Sequence, residues 1–541
     1  MSTKSIWYAV LLLATVLPAS GQEISGDRIR AHTKFLSSDL MEGRGVGVRG
    51  DELATEYLAA AFAVADAQPA GDEGTFFQRV PLVGVETRPG AQLSAVSRQG
   101  KAVSFRWAED FVGINHRQQA AARLQGEAVF VGHGIAAPEY RWDDYKGTDV
   151  RGKVVVLFTN EPSSDDHAFF KGRALTYYGR WSFKYEEALR RGAAGAIIIH
   201  TTPTAGYGWD VVRNSWGREN PFVKLGPEDR ALTFAGWVTQ EAGEKLLALA
   251  GRNVDELLKA ANSRDFKPIP LNVRINASIP SKVREIETRN VAAVIPGSDP
   301  QLKDEAVVFT GHWDHLGIGT PVDGDAIYNG AVDNATGCAV LIELARVFAE
   351  LPRKPRRSIL FLAVTAEEGG LRGSEFYAAN PIFPPGRTAV VLNYDAIHPY
   401  GRTRDVVVTG AERTTLWPVV EAAAKRMNLT IKPDPRPEQG SFYRSDHFSM
   451  AKAGIPAFTV AAGSEFLGKP PEFAEQLFRE FNQKHYHQPS DEFREDWDFS
   501  GLAQVARFGM LIALDAANQD ALPTWTGGDE FLPARQRSGV N

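Results

Sequence analysis

Cysteine is almost missing from this chain: Cys338 is the sole thiol in 541 residues. One thiol cannot close an internal disulfide, so packing must hold the fold, and a cysteine-built metal or redox centre is excluded. Long apolar runs are missing too. The N-terminal run IWYAVLLLATVL (6–17) falls short of the roughly 20 residues that a spanning helix needs. Behind Lys4 and ahead of Pro18 and ASG (19–21), it predicts a signal peptide over 1–21, cleaved to expose Gln22. The expectation is export, periplasmic or extracellular, with no lasting membrane anchor. No cysteine lies near that cleavage point, so lipidation has no acceptor. Charge of one sign is also lacking. The net charge is −6, with 60 basic and 66 acidic residues spread throughout, which argues against a nucleic-acid partner. The basic run LPRKPRRS (351–358) sits between a helical pattern and an apolar strand and reads as a solvated loop. No repeat of solenoid period is present.

What is there suits a large core. Apolar residues make up 43% of a length that predicts more than one domain. Residues 24–66 carry helical spacing with Ser, Asp and Gly at the ends. Residues 72–118 are β-like and turn-rich. From 124, apolar strands alternate with amphipathic helices over ~140 residues, the size of a small α/β domain. A polar bridge, ANSRDFKPIP (261–270), follows. Beyond 271 the alternation resumes at larger scale, with EAVVFTGH, RSILFLAVTAEE, TAVVLNYDAI and IPAFTVAAG as buried strands ending in polar or small residues. Buried strands alternating with helices predict a helix–sheet–helix α/β domain with a mostly parallel mixed sheet. TGGDEFLPARQRSGVN reads as a loosely ordered tail.

The chemistry gathers at the strand ends, where sites form in open α/β sheets. GHWDHLGIGTPVDGDAIYNGAVDNATG (311–337) offers His312 and Asp314 after a strand, then Asp333 opening a helix. The next strand delivers Glu367 and Glu368. Adjacent carboxylates cannot usually face one point, so one can bind a metal while the other reaches a metal-bound water. Asp395 ends the strand TAVVLNY. KHYHQPSDEF (484–493) brings His485 and His487, of which at most one should face a shared site if the backbone is extended. Each element alone has an ordinary reading: a surface histidine, an acidic helix start, a turn aspartate, a polar loop. Together they supply the mixed imidazole and carboxylate set that zinc accepts.

The motifs GHWDHLG, YNGAVDNATG, TAEEGGLRGSEFY, NYD, RSDHFSMAKAGIPAF and YHQPSDEF, in this order, resemble the co-catalytic di-zinc aminopeptidases related to aminopeptidase Y and glutamate carboxypeptidase. FLSSDLMEGRGVGVRG resembles the segment that precedes that family's catalytic domain, and 124–262 resembles an inserted protease-associated (PA) domain. The implied scheme is a signal peptide (1–21), the N-terminal part of the peptidase domain (22–123), the insert (124–262), the catalytic domain (263–518) and a tail (519–541). The resemblance implies two Zn2+ per chain. His312 and Asp395 would bind one, Glu368 and His487 the other, and Asp333 would bridge. Asp314 would orient His312. Glu367 would be the general base, Tyr486 would steady the oxyanion, and Arg444 would contact substrate. His315, His398, His447 and His485 are left as structural or supporting residues. The expected activity is an exopeptidase trimming peptide N-termini. Carboxypeptidase or dipeptidase action, a single-zinc glutaminyl-cyclase-like acyl transfer, and a non-catalytic ectodomain like the transferrin-receptor relatives stay open. The insert is expected to cover the cleft and limit substrate size, to bind partners, or to serve as a passive stabiliser.

Overall fold

One strand, Ile269–Ile295, is 27 residues long and ties the molecule together. The computed structural model describes residues 23–540 other than 163, 167 and 207. The signal-peptide segment therefore lies outside the described residues. Toward its start the long strand pairs antiparallel with Gln92–Ser97 and Ala121–Phe130. In its middle it pairs with Phe77–Thr87, and at its end with Ser358–Val364.

From that end the catalytic sheet continues in the order Ser358–Val364, Ala306–His312, Thr388–Asn393 and Ala457–Thr459, all parallel. These strands are mostly apolar and almost entirely buried because both faces are covered. The period of two sorts the side chains. Val307, Phe309, Ile359, Phe361, Val390 and Leu392 face one layer, built with helices Gly26–Leu36, Arg49–Val64, Thr336–Glu350 and Ser500–Asn518. Val308, Leu360, Leu362, Val364 and Val391 face the other, with Tyr377, Phe448 and Met450. The 24–66 region forms two helices joined by a tight turn that carries Arg44.

The second sheet runs Ala121–Phe130, Val154–Phe158, Gly195–Ile199 and Phe234–Val238 in parallel, closed by antiparallel Phe111–Ile114. It reaches back beyond residue 124, because Gln92–Ser97 and Phe111–Ile114 pair within it. Their short alternating runs look no different in sequence from the β-segments that precede them.

Two expectations are corrected. The C-terminal segment is docked rather than loose. Trp525 is buried and its indole donates to Gly454 O at 2.9 Å. Arg535 is buried and donates to Pro523 O at 2.8 Å, within the helix Leu532–Arg537. The basic run 351–358 is not wholly solvated either. Arg357 is buried, pairs with Glu305 at 2.7 Å and donates to Ala516 O, closing the C-terminal end of the helix Ser500–Asn518.

Candidate metal centre

Three strand ends, an irregular turn and a loop converge on a small polar volume. His312 is the last residue of its strand, and its Nε2 lies 3.1 Å from Asp333 Oδ1 and 3.2 Å from Asp395 Oδ1. His487 Nε2 lies 3.0 Å from Glu368 Oε2 and 3.5 Å from Asp333 Oδ2. Asp333 thus turns one oxygen to each imidazole. It does not open a helix as expected. It sits in an irregular turn, φ −110° and ψ 91°, ahead of the helix that starts at Thr336. That helix comes close to the neighbouring strand end because Gly337 has no side chain: a Cβ there would meet Tyr394 O at 2.5 Å. Asn334 fastens the same junction, donating to Tyr394 O at 2.9 Å.

Asp314 contacts His312 Nδ1 through its main-chain oxygen at 3.1 Å, and its carboxylate stands 3.8 Å away. That carboxylate instead accepts the amides of Glu367 and Glu368 at 3.1 and 3.3 Å, so it shapes the turn that presents both glutamates. Of the paired histidines only His487 turns inward. His485 Nδ1 faces Ser490 at 3.0 Å. The Tyr486 ring stacks on His487 at 3.9 Å and is 36% exposed, at the rim. Arg444 is exposed in the loop ahead of the helix His447–Lys452. His398 packs edge-on against Phe481, and His447 against Phe442.

Arg44, Asp491 and Ser445 carry no expectation from the sequence, and His315, expected as a structural or supporting residue, joins them. Arg44 is buried and donates to Trp313 O, Leu36 O and Asn329 O at 2.7 Å, to Gly330 O at 2.8 Å and to Asp333 O at 3.5 Å. Asp491 accepts the amides of Val332 and Asp333 at 3.0 and 3.1 Å. Ser445 donates to Asp395 Oδ2 at 2.5 Å. His315 Nδ1 lies 2.6 Å from Glu368 Oε1. Asp491 and Ser445 stood inside the quoted motifs, which was their one signal. Arg44 gave none, since its partners are main-chain carbonyls.

The electrostatics follow from packing acids and imidazoles together out of water. Burial opposes a charge on His312, but Asp395 and Glu367 outweigh it and hold the imidazole well above its usual pKa. Burial likewise opposes a charge on His487, yet Glu368 and Asp333 push it up to about 10. Burial would lift Asp333, but the His312 and His487 imidazoles beside it hold it well below the carboxylate range. Burial raises Glu367 well above that range, against the pull of His312. Asp314 is pushed up to about 8, mainly by burial.

The donor set fits zinc. Ligand atoms of His312, Asp333 and Glu368 all lie within 4.8 Å of one another. Glu368 Oε1 and His487 Nε2 are buried without a well-aligned protein hydrogen bond, which suits atoms facing a cation.

A mixed sheet of this order, with imidazoles and carboxylates at its strand ends, has the architecture of a zinc metallopeptidase domain. More particularly, residues 290–508 match the model of Peptidase family M28. A "Probable zinc metalloprotease" of Pyricularia oryzae is 35% identical over 133 residues, 23% of this chain and 25% of that protein. A "Probable glutamate carboxypeptidase" of Arabidopsis thaliana is 28% identical over 308 residues, 52% of this chain and 39% of that protein. The chain thus spans well under two thirds of either relative. The solved aminopeptidase from Aneurinibacillus sp. strain AM-1 shares the fold, with a TM-score of 0.50 and 20% identity over 93% of this chain and 96% of that one. Among the described residues no helix is long and apolar enough to cross a membrane.

Proposed function

We propose that the chain is an exported zinc-dependent aminopeptidase acting on the free N-termini of peptides. The observation that carries this reading is the convergence of His312, Asp395, Asp333, Glu368 and His487 in two groups sharing Asp333, with Glu367 beside them. His312 and Asp395 would hold one zinc and Glu368 and His487 the other, with Asp333 between. Two zinc ions so held supply an acidified water and polarise the scissile carbonyl. The rest falls to the protein. Glu367, buried beside the cluster, would take a proton from that water and return it to the leaving amine. Tyr486, a phenol that stays protonated at neutral pH, would donate a hydrogen bond to the developing oxyanion. Arg444, at the exposed rim, contacts the substrate backbone. The excess of carboxylates in the centre favours a substrate α-ammonium, and so N-terminal trimming. The names of several relatives support aminopeptidase chemistry, and the carboxypeptidase name of the Arabidopsis relative keeps C-terminal trimming as the second reading.

The α/β unit around the second sheet is read as a PA-like insert. It touches the centre's surroundings directly. Arg372, just after the glutamate turn, donates to Pro221 O at 2.9 Å, and Leu175 N donates to Pro437 O at 3.0 Å near the Arg444 loop.

The test compares Glu367→Gln with the natural protein on aminoacyl p-nitroanilides and on N-blocked peptides, with zinc counted on the same samples. The expected result is two zincs in both, turnover of free N-termini by the natural protein alone, and none of the blocked peptides. Full activity in Glu367→Gln, or preference for blocked substrates, overturns the assignment. A single zinc would favour cyclase-like chemistry.

A further inference from the structure

We propose that Glu530, in the docked C-terminal segment, is a positioning residue that sets the place of Arg444 by holding the neighbouring Tyr443. The inference rests on the reading of Arg444 as a substrate contact. It goes beyond that reading by making the end of the chain part of the substrate side of the site.

Arg444 is an exposed residue between two buried ones, Tyr443 and Ser445. It follows the single turn Ser441–Tyr443, and its amide donates back to Ser441 O at 3.1 Å. Each buried neighbour is tied to a different body. Ser445 accepts from Asn393 Nδ2 at 2.7 Å and donates to Asp395 Oδ2 at 2.5 Å, which fixes one side of Arg444 on the cluster itself. Tyr443 donates its hydroxyl proton to Glu530 Oε1 at 2.9 Å, which fixes the other side on the last stretch of the chain.

Glu530 is held in turn. The same oxygen accepts from Arg413 Nη2 at 2.8 Å, and Arg413 Nε and Nη2 also reach the two oxygens of Asp529 at 2.8 and 3.1 Å. All three side chains are largely buried, where charge-assisted bonds are strong. The guanidinium lies 4.7 Å from the Phe442 ring centroid and 5.0 Å from that of Phe531, so the turn and the C-terminal segment share one cation. Lys171, from the unit around the second sheet, stands 3.9 Å from Glu530. Arg444 lies within electrostatic reach of Tyr486, the other rim residue. A long side chain amplifies a small shift at its own Cα. Releasing Tyr443 therefore displaces the Arg444 guanidinium, while Asn393 keeps Ser445 on Asp395.

The test measures kcat and KM of zinc-loaded protein on the aminoacyl p-nitroanilide that the natural protein cleaves best, with zinc counted and melts run on the same samples. The variants are Glu530→Ala, Glu530→Gln and Tyr443→Phe, each with Arg444 and with Arg444→Ala. With Arg444 present, Glu530→Ala and Tyr443→Phe should lose roughly 10–100-fold in kcat/KM, mostly as a raised KM, with zinc content intact. Glu530→Gln keeps an acceptor for the hydroxyl and should recover most of that loss. In the Arg444→Ala background the same losses should vanish, because the residue being placed is gone. Natural kcat/KM in both Glu530→Ala and Tyr443→Phe overturns the role. So does an equal loss with and without Arg444, or loss of zinc along with rate in Tyr443→Phe, which keeps the ring. Natural kinetics in Arg444→Ala itself would remove the substrate contact, and this role with it, while leaving the zinc reading standing. Absence of turnover by the zinc-loaded natural protein would overturn the aminopeptidase reading and this role together.

Discussion

Replacing Arg44 by Ala should weaken the fold and the metal centre together. The guanidinium is 1% exposed, and four of its five acceptors, Trp313 O, Leu36 O, Asn329 O and Gly330 O, lie at 2.7–2.8 Å. A buried carbonyl left without a donor costs about 1–3 kcal/mol. Water entering the vacated space satisfies part of that demand, and the cost of burying the guanidinium is recovered. Taking roughly 1 kcal/mol for each of the four close contacts gives about 4 kcal/mol. At about 2–4 °C per kcal/mol for a domain of 150–250 residues, the melting of the zinc-free protein should fall by about 8–16 °C. Arg44→Lys, with three protons on one nitrogen, should recover about half of it. Trp313 directly follows His312, and Gly330 lies three residues before Asp333, so zinc affinity should drop as well. The assay is differential scanning calorimetry of stripped and zinc-loaded protein, with zinc titration. An Arg44→Ala variant melting within about 2 °C of the natural protein, with unchanged zinc affinity, would refute the reasoning.

Other outcomes follow from the same contacts. His487, raised to about 10 by its carboxylate neighbours, is protonated at pH 7 in stripped protein and must lose that proton to bind zinc. Zinc affinity should therefore rise with pH toward 10, and calorimetry in buffers of different ionisation enthalpy should show protons released at pH 7; no release contradicts this. The same shift strengthens the stripped fold fully below about pH 6.5, and that increment is lost as pH climbs through about 10, readable as a falling melting temperature. Asp314→Asn keeps an acceptor for only one of the Glu367 and Glu368 amides, so kcat should fall roughly 10–100-fold, and an unchanged rate argues against the turn-shaping role. Arg372→Ala removes the bond to Pro221 O and the guanidinium lying 4.8 Å from the Phe222 ring centroid. Its kcat should drop with zinc content intact, and a full rate would separate the insert from the glutamate turn.

The strand ends were legible in the sequence because apolar runs closing on His312, Glu367 and Asp395 combine two strong local signals, burial and abrupt polarity. The helix–sheet–helix order followed from the same alternation. Arg44, the exact reach of the second sheet and the docked C-terminus were not legible, for one shared reason. Each depends on main-chain partners distant in the chain, and main-chain carbonyls are the same at every position. Asp314 illustrates the limit at close quarters. Its place two residues after His312 was visible, but not that its carboxylate would turn to the glutamate amides while its carbonyl met the imidazole.

The 27-residue strand Ile269–Ile295 has a mechanical consequence. Its ladders to Gln92–Ser97 and Ala121–Phe130 run up to Pro280 and its ladder to Phe77–Thr87 starts at Ser281, so the backbone passes from one sheet to the other with no loop between. The two sheets are thus coupled through one unbroken extended segment rather than through a linker.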